Sequence, residues 1–301
     1  TVTSADGLMN VAELVNGGKT DINITLDKNI DLTGKDWTPI GTDYDNSYKG
    51  TFDGGGHTIT GLTFTTNDEY AGLFGYLGNF NNGAATVKNV VMEGIQITCN
   101  HRSGYAGGVA GFSWGTIENC SVSGSVSGTV YVGGVVGVQI GGSITGCSSS
   151  ATVKGTVDVG GVAGQTNSSA TLTACYATGN VIIEINPKKN IAGGGLVGMN
   201  AGSSLLACYA TGNVTSTGSS TGYVHIGGFL GNNYTTVTAC YWKNNHEQGI
   251  GYNRRSTEAT KVDGTSVTWK NAVDAMNTAL QNAGSEWRYE LNGALPTLRK
   301  Q

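Results

Sequence analysis

Proline is nearly absent from this sequence, with only Pro39, Pro187 and Pro296 among 301 residues. None of the three lies in the core of the glycine-rich repeats. Proline cannot donate a backbone hydrogen bond, so it is excluded from strands that are paired on both sides. The distribution therefore predicts repeats whose backbone forms ladders with a neighbour above and a neighbour below.

Charge is also scarce. Charged residues make up 13% of the chain, with 17 Lys and Arg against 21 Asp and Glu, for a formal net charge of −4. No basic stripe is present, so neither a nucleic acid nor an anionic membrane is an electrostatic partner. No apolar run approaches the roughly 18 residues of a membrane span, and we expect no transmembrane segment.

Signals for metal binding and catalysis are missing. The six cysteines include no Cys-x-x-Cys pair, and no His-Glu-x-x-His sequence occurs. Asp43, Asp45 and Asp53 could supply oxygens to calcium, but their spacing matches no calcium loop, and turn-forming aspartate explains each position. His57 has no evident partner nucleophile. We therefore predict no catalytic residue, no metal and no cofactor.

Glycine, by contrast, is abundant, at 49 residues, and it marks a repeat. The octapeptide at residues 174–181 returns unchanged at residues 207–214. A Gly-Gly-apolar-apolar-Gly sequence precedes each copy, at residues 160–164 and 194–198, and recurs at 107–111, 133–137 and 227–231. Each of these five sequences is followed by one cysteine: Cys120, Cys147, Cys175, Cys208 and Cys240.

The repeat units are short and composed for strand. The tightest are 26 and 27 residues long, too short for a propeller blade, and they contain Val, Ile, Thr and Ser in period-2 alternation. This predicts an all-β fold: a right-handed, three-sided parallel β-helix over residues 22–242. Residues 1–21 contain an amphipathic helix that would cover the first turn. Residues 243–301, with a helix at 272–280, are predicted to form a C-terminal capping segment.

The cleanest repeat core, Gly-Gly-Leu-Val-Gly at residues 194–198, resembles the Glug motif of large bacterial surface proteins, including repeat regions of some immunoglobulin A peptidases. The segment at residues 50–62 is similar to the entry turns of those proteins. The resemblance covers roughly residues 26 to 242 and implies a β-helical scaffold. It implies no defined catalytic set, because those peptidases carry their catalytic residues elsewhere.

Stacked turns align equivalent residues into ladders. The five cysteines should form one inward ladder of buried, unpaired thiols, because parallel Cβ directions do not aim their sulfurs at each other. Alternation then places the next residue outside, exposing Tyr176, Tyr209 and Tyr241. This tyrosine ladder could simply stabilise the sheet. It could also be an aromatic platform that contacts sugars or protein partners.

Two later repeats carry extra residues at the same position, at 183–190 and 216–223. Insertions at one repeat position pile up on one edge, which is often a binding face. They bring Lys188, Lys189 and Tyr223 into the candidate ligand-binding set with the three tyrosines. Loop variation without function is the alternative interpretation.

Low charge, abundant small polar residues and the resemblance all favour an exported or cell-surface protein. The chain begins at Thr1 without a leader, so we expect its targeting information to lie outside this sequence. Only six charged residues occur between Gly104 and Cys240, and they form no acid–base pair. We predict a monomeric, non-catalytic, adhesin-like module that binds a glycan or an extracellular protein. A structural spacer and a glycan-degrading enzyme remain the alternatives.

Overall fold

The computed structural model describes residues 1–81 and 85–301. Two helices flank the strands: α1 spans Ala5–Asn16 and α2 spans Trp269–Asn282. The strands of the first half are β1 (Ile24–Thr25), β2 (Ile30–Asp31), β3 (Thr51–Asp53), β4 (Thr58–Thr60), β5 (Thr63–Thr66), β6 (Tyr70–Ala71), β7 (Phe74–Leu77), β8 (Thr86–Lys88), β9 (Val91–Cys99), β10 (Tyr105–Ala106), β11 (Ala110–Ser113), β12 (Thr116–Glu118), β13 (Ser121–Ser127), β14 (Tyr131–Gly133), β15 (Val136–Thr145), β16 (Ser148–Ser149) and β17 (Thr152–Gly155).

The strands of the second half are shorter on average and end in an antiparallel pair. They are β18 (Asp158–Gly160), β19 (Ala163–Thr173), β20 (Tyr176–Ala177), β21 (Val181–Glu184), β22 (Ile191–Gly194), β23 (Val197–Ala201), β24 (Ser204–Leu206), β25 (Tyr209–Ala210), β26 (Val214–Thr217), β27 (Val224–Gly227), β28 (Leu230–Asn233), β29 (Val237–Thr238), β30 (Tyr241–Trp242), β31 (Ile250–Asn253), β32 (Thr260–Lys261), β33 (Trp287–Glu290) and β34 (Thr297–Lys300).

Strands β1 to β32 form three parallel sheets that wind into one β-solenoid. The first sheet follows β1-β3-β8-β12-β15-β19-β23-β28-β31, with β7, β11, β24 and β29 pairing beside this path. The second sheet follows β6-β10-β14-β18-β22-β27. The third follows β2-β4-β9-β13-β16-β20-β25-β30-β32, with β5, β17, β21 and β26 beside it. The predicted parallel β-solenoid is confirmed.

The doubled glycines allow the backbone of one turn to lie directly on the next. The Gly108 N–H donates to the Gly134 carbonyl at 3.0 Å, and the Gly134 N–H donates to the Gly161 carbonyl at 3.1 Å. A Cβ atom on Gly134 would lie 2.2 Å from the Gly161 carbonyl oxygen. A larger residue cannot fit at that contact, which explains why the pair recurs in each repeat.

In six consecutive turns a one-residue corner joins the first sheet to the third. The corner residues have φ between +49° and +63°, a left-handed conformation that turns the chain sharply. They are Asn89, Asn119, Gly146, Ala174, Ala207 and Ala239. Each stands immediately before the position occupied by cysteine in the five repeats, so the corner directs the thiols inward.

All six cysteines are free and buried, which confirms the prediction for the five in register and adds Cys99. The Cys175 thiol donates to the carbonyls of Ile144 and Thr173, at 3.3 and 3.4 Å. Burial raises the pKa of the Cys147, Cys175 and Cys240 thiols. Protonated, buried thiols of this kind are packing residues rather than nucleophiles.

Helix α1 covers the beginning of the solenoid. Its N-cap is Ser4, whose hydroxyl accepts a hydrogen bond from the Gly7 N–H at 3.1 Å. Leu8, Ala12 and Val15 are buried in the same apolar core as the first turns. The helix therefore closes the N-terminal end of the core.

The C-terminal segment, residues 262–301, lies along the side of the solenoid instead of covering its end. Helix α2 and the antiparallel pair β33–β34 pack against the outside of the third sheet, in a second apolar cluster with Ala174, Ala207 and Tyr209. At its far end, the Lys300 ammonium pairs with Glu118 at 2.7 Å. The segment thus runs back along the solenoid as a strap. The division at residues 21, 242 and 301 stays a prediction.

Candidate functional site

The tyrosine ladder exists, but most of it is covered. Tyr176, Tyr209 and Tyr241 are in register on β20, β25 and β30. The rings of Tyr176 and Tyr209 stack with centroids 4.8 Å apart and an interplanar angle of 2°. Tyr209 is nevertheless 0% exposed and Tyr241 8% exposed. The predicted exposure of these two tyrosines is therefore wrong.

The strap covers them. The Tyr209 hydroxyl donates to the Pro296 carbonyl at 2.6 Å, and its ring meets Trp269 at a centroid distance of 5.0 Å. The Tyr289 hydroxyl donates to the Ala207 carbonyl at 2.9 Å. Burial raises the pKa of Tyr209 and of Tyr289 far above the ordinary range. Tyr209 and Tyr241 are thus core residues of the strap interface and drop out of the candidate surface.

Tyr176 is different because it stands at the edge of the strap. One face of its ring is covered by Tyr209. On the opposite side its register partner is Ser148, and the next residue along the ladder is Ser121. Serine side chains are too short to cover an aromatic ring. Tyr176 is half-buried, and its second face borders open space.

Two adjoining hollows occupy that space, with volumes of about 220 Å³ and 150 Å³. Both are lined by Val91, Ser121, Ser148 and Tyr176. We call them together the Ser–Tyr groove. Its other lining residues are Gly56, Asn89, Met92, Glu93, Asn119, Cys120, Val122, Ser123, Gly146, Ser150, Thr178, Trp287 and Leu298.

Hydroxyl groups dominate the floor of the groove. Ser123 is partly engaged, since it accepts from the Gly94 N–H at 3.2 Å. Within the part of the chain that the structure describes, no hydrogen bond engages the hydroxyls of Ser121 and Ser148. These two can both donate to and accept from a ligand. The groove therefore combines one free aromatic face with neutral hydrogen-bonding groups.

The strap forms one wall of the groove. Trp287 packs directly over the corner residue Gly146, where a Cβ would lie 2.2 Å from the indole Cζ2. Trp287 is 4% exposed, so it supports the wall more than it presents a free face. The ion pair between Lys300 and Glu118 attaches the end of the strap to the solenoid. Hydrogen bonding to Glu118 also raises the pKa of the Lys300 ammonium.

The two insertions do lie side by side on one edge, but they lie apart from the groove lining. The Thr221 N–H donates to the Pro187 carbonyl at 3.0 Å, and the Ile185 N–H donates to the Thr217 carbonyl at 2.9 Å. Lys188 and Lys189 are exposed, and Tyr223 is 37% exposed. Ligand binding by these three residues stays a prediction.

A second aromatic row, on the second sheet, is absent from the sequence-based candidates. Tyr70, Tyr105 and Tyr131 are in register, with ring centroids 5.1 and 4.8 Å apart. The same register continues to Asp158, Ala192 and then His225. The signal was available, because most of these residues stand two positions before the recurrent glycine pair. The pattern is harder to see in the sequence because this position holds Asp158, Ala192 and His225 in the later repeats instead of tyrosine.

Two of the three acidic residues considered for calcium, Asp43 and Asp53, have structural roles. Asp43 accepts hydrogen bonds from the N–H groups of Asp45 and Asn46, both at 3.0 Å. Burial opposes ionisation of Asp53, but hydrogen bonds from Asn89 and Gly55, with the Lys88 ion pair, hold its pKa below the ordinary value. Among the described residues no cluster of three or more His, Cys, Asp or Glu side chains could hold a metal ion. No helix among the described residues is long and apolar enough to cross a bilayer.

Parts of this chain are similar in sequence to known proteins. The family model described as "The GLUG motif" matches residues 103–127 and 128–154. Halomucin of Haloquadratum walsbyi is 39% identical over 123 residues, which cover 38% of this chain and 1% of that protein. A "Putative Gly-rich membrane protein" of Evansella cellulosilytica is 37% identical over 101 residues, covering 33% of this chain and 11% of that protein.

Among solved structures, a "putative immunoglobulin A1 protease" from Bacteroides ovatus superposes with a TM-score of 0.73. The match covers 99% of this chain and 91% of that one, at 19% sequence identity. At that identity the likeness extends to the fold alone. The resemblance to the Glug motif is confirmed: this chain carries two tandem Glug motifs within a parallel β-solenoid.

Proposed function

We propose that this chain is a non-catalytic β-solenoid module of a surface protein, and that it binds a glycan in the Ser–Tyr groove. The observation that carries the proposal is the free face of Tyr176, next to the unengaged hydroxyls of Ser121 and Ser148. A sugar ring has an apolar C–H face that packs on an aromatic ring, and hydroxyls that exchange hydrogen bonds with serine. An amphipathic aromatic side chain with a few polar groups around it is suited to that chemistry.

The size and charge of the groove narrow the ligand. Both hollows are smaller than the roughly 300–1,000 Å³ of enclosed small-molecule sites, so the groove suits one or two residues of a longer chain. Glu93 is the one carboxylate among the lining residues, and it is exposed. Hydrolysis of a glycosidic bond ordinarily requires two positioned carboxyl groups, so the lining favours binding without cleavage.

Location at a surface is supported by the relatives, one of which is named halomucin and the other a membrane protein. The chain matches about one hundredth of the first and about a tenth of the second, so it would be one module of a larger protein. Secretion, monomeric state and the glycan itself are parts of the proposal. Two alternatives are tested against glycan binding: the chain binds an extracellular protein, or it is a structural spacer that binds nothing.

The test is a glycan-array screen of the purified chain beside Tyr176→Ala and Ser148→Leu. Losing the aromatic contact should weaken binding by about 1–2 kcal/mol, roughly fivefold to thirtyfold. Tyr252→Ala is the matched control, since Tyr252 is 42% exposed on a different sheet and lines neither hollow. Retained binding by both groove variants would move the site elsewhere. No glycan binding by the parent chain would favour the spacer.

A further inference from the structure

The aromatic row on the second sheet is interrupted by a carboxyl group. Asp158 is the register partner of Tyr131 in the preceding turn. On its other side lies Ala192, whose own partner in the next turn is His225. The ring of Tyr223 stacks on His225 at 4.5 Å, and its hydroxyl interacts electrostatically with Asp158. Asp158 therefore lies between the aromatic groups Tyr131 and Tyr223.

This carboxyl group is buried and has no partner of opposite charge. Asp158 is 5% exposed, and among the described residues it accepts no hydrogen bond and forms no ion pair. The cation of the same turn, Lys154, pairs instead with Glu184 at 2.7 Å. Burial raises the pKa of Asp158 to about 7. Its titratable neighbours Tyr131 and Tyr223 bring no positive charge, and burial together with the Asp158 carboxylate raises the pKa of both.

We propose that Asp158, Tyr131 and Tyr223 form a binding site for an organic ammonium group, such as the amine of an amino sugar or a quaternary ammonium. A cation beside Asp158 would neutralise a carboxylate that otherwise loses its hydration without compensation. Aromatic faces attract organic cations, and the attraction is stronger where water is excluded. A metal ion fits less well, because one carboxylate provides too few oxygen ligands.

Access to the site comes from the side of Tyr223. Tyr223 is 37% exposed and follows the exposed residues Thr221 and Gly222. It belongs to the insertion at residues 216–223 and precedes strand β27, so its side chain can reorient without disturbing a strand. The site lies on the second sheet, and it shares no lining residue with the Ser–Tyr groove. It therefore stands or fails independently of the proposed glycan binding.

The test compares two probes of nearly equal shape by titration calorimetry and by NMR of the tyrosine ring protons. Choline carries the quaternary ammonium, and 3,3-dimethyl-1-butanol is its neutral isostere. Choline should bind with millimolar or better affinity at pH 8 and shift the resonances of Tyr131 and Tyr223. Asp158→Asn should weaken binding at least tenfold, and Tyr223→Leu should weaken it severalfold. Asp274→Asn, at an exposed surface pair, should change nothing.

Absence of choline binding at tens of millimolar would overturn the proposal. Equal affinity for the neutral isostere, or equal choline binding by Asp158→Asn, would also overturn it. Loss of folding does not confuse the result, because an uncharged side chain at a buried, unpaired carboxyl position is expected to fold at least as well.

Discussion

The Tyr209 hydroxyl donates a hydrogen bond to the carbonyl oxygen of Pro296, 2.6 Å away and 87 positions along the chain. This contact ties the C-terminal strap to the middle of the solenoid. It lies in an interface without water contact, since both residues are buried. The strap is consequently part of the folded solenoid rather than an appendage, and its attachment can be measured.

Removing that donor should loosen the strap. Tyr209→Phe leaves the buried Pro296 carbonyl without its partner, which typically costs about 1–3 kcal/mol in the free energy of unfolding. Chemical denaturation measures the loss, and limited proteolysis should then cut between residues 262 and 301 earlier than in the parent. Tyr176→Phe is the control, because no described residue accepts a hydrogen bond from the Tyr176 hydroxyl. Equal stability of the two variants would contradict the interface described here.

Gly146 should tolerate no side chain. Gly146→Ala places a methyl group 2.2 Å from the Trp287 ring at a residue with φ of +63°. The left-handed conformation alone costs about 1–2 kcal/mol, and displacing Trp287 adds to that cost. Gly284→Ala separates the two effects, because its φ is +68° and nothing lies within 4 Å of its Cβ position. We expect Gly146→Ala to be the more destabilising by thermal unfolding, and equal losses would show that Trp287 is not packed there.

Asp158 should make stability depend on pH. Its folded pKa is raised to about 7 from an ordinary 3.8, so its protonated form is favoured in the folded chain. The associated stability is fully present below pH 3.8 and is lost as pH rises through 7. The shift corresponds to an upper value on the order of 4 kcal/mol. Asp158→Asn should therefore be more stable than the parent at pH 8 and similar to it near pH 4, as measured by urea denaturation.

The thiols should be unreactive until the solenoid unfolds. All six cysteines are free and buried, and burial raises the pKa of several of them. A thiol reagent should label none in the native chain and six in denaturant without reductant. Rapid labelling of the native chain would mean that the interior opens. Fewer than six thiols after denaturation would indicate disulfides.

The sequence predicts the solenoid well because its signals are local. The glycine pair marks close backbone contacts, as between Gly134 and Gly161, and the cysteine position follows one fixed corner. The strap was not predictable in the same way. Residues 272–298 show an amphipathic helix followed by an apolar segment. The alternation of inward and outward residues in the repeats does not indicate which outward face of the solenoid that segment covers. That is why the alternation wrongly predicts exposure of Tyr209 and Tyr241, while their ladder neighbour Tyr176 is half-buried at the edge of the strap.

Sugar binding in the Ser–Tyr groove can be measured directly by NMR chemical-shift mapping with a glycan selected by the array. On titration the amides of Ser121, Ser148 and Tyr176 should shift, with that of Trp287 at the strap wall, while those of Tyr70, Tyr105 and Tyr131 on the second sheet should not. Shifts confined to the second sheet or to the insertions at 183–190 and 216–223, with the groove unchanged, would contradict it.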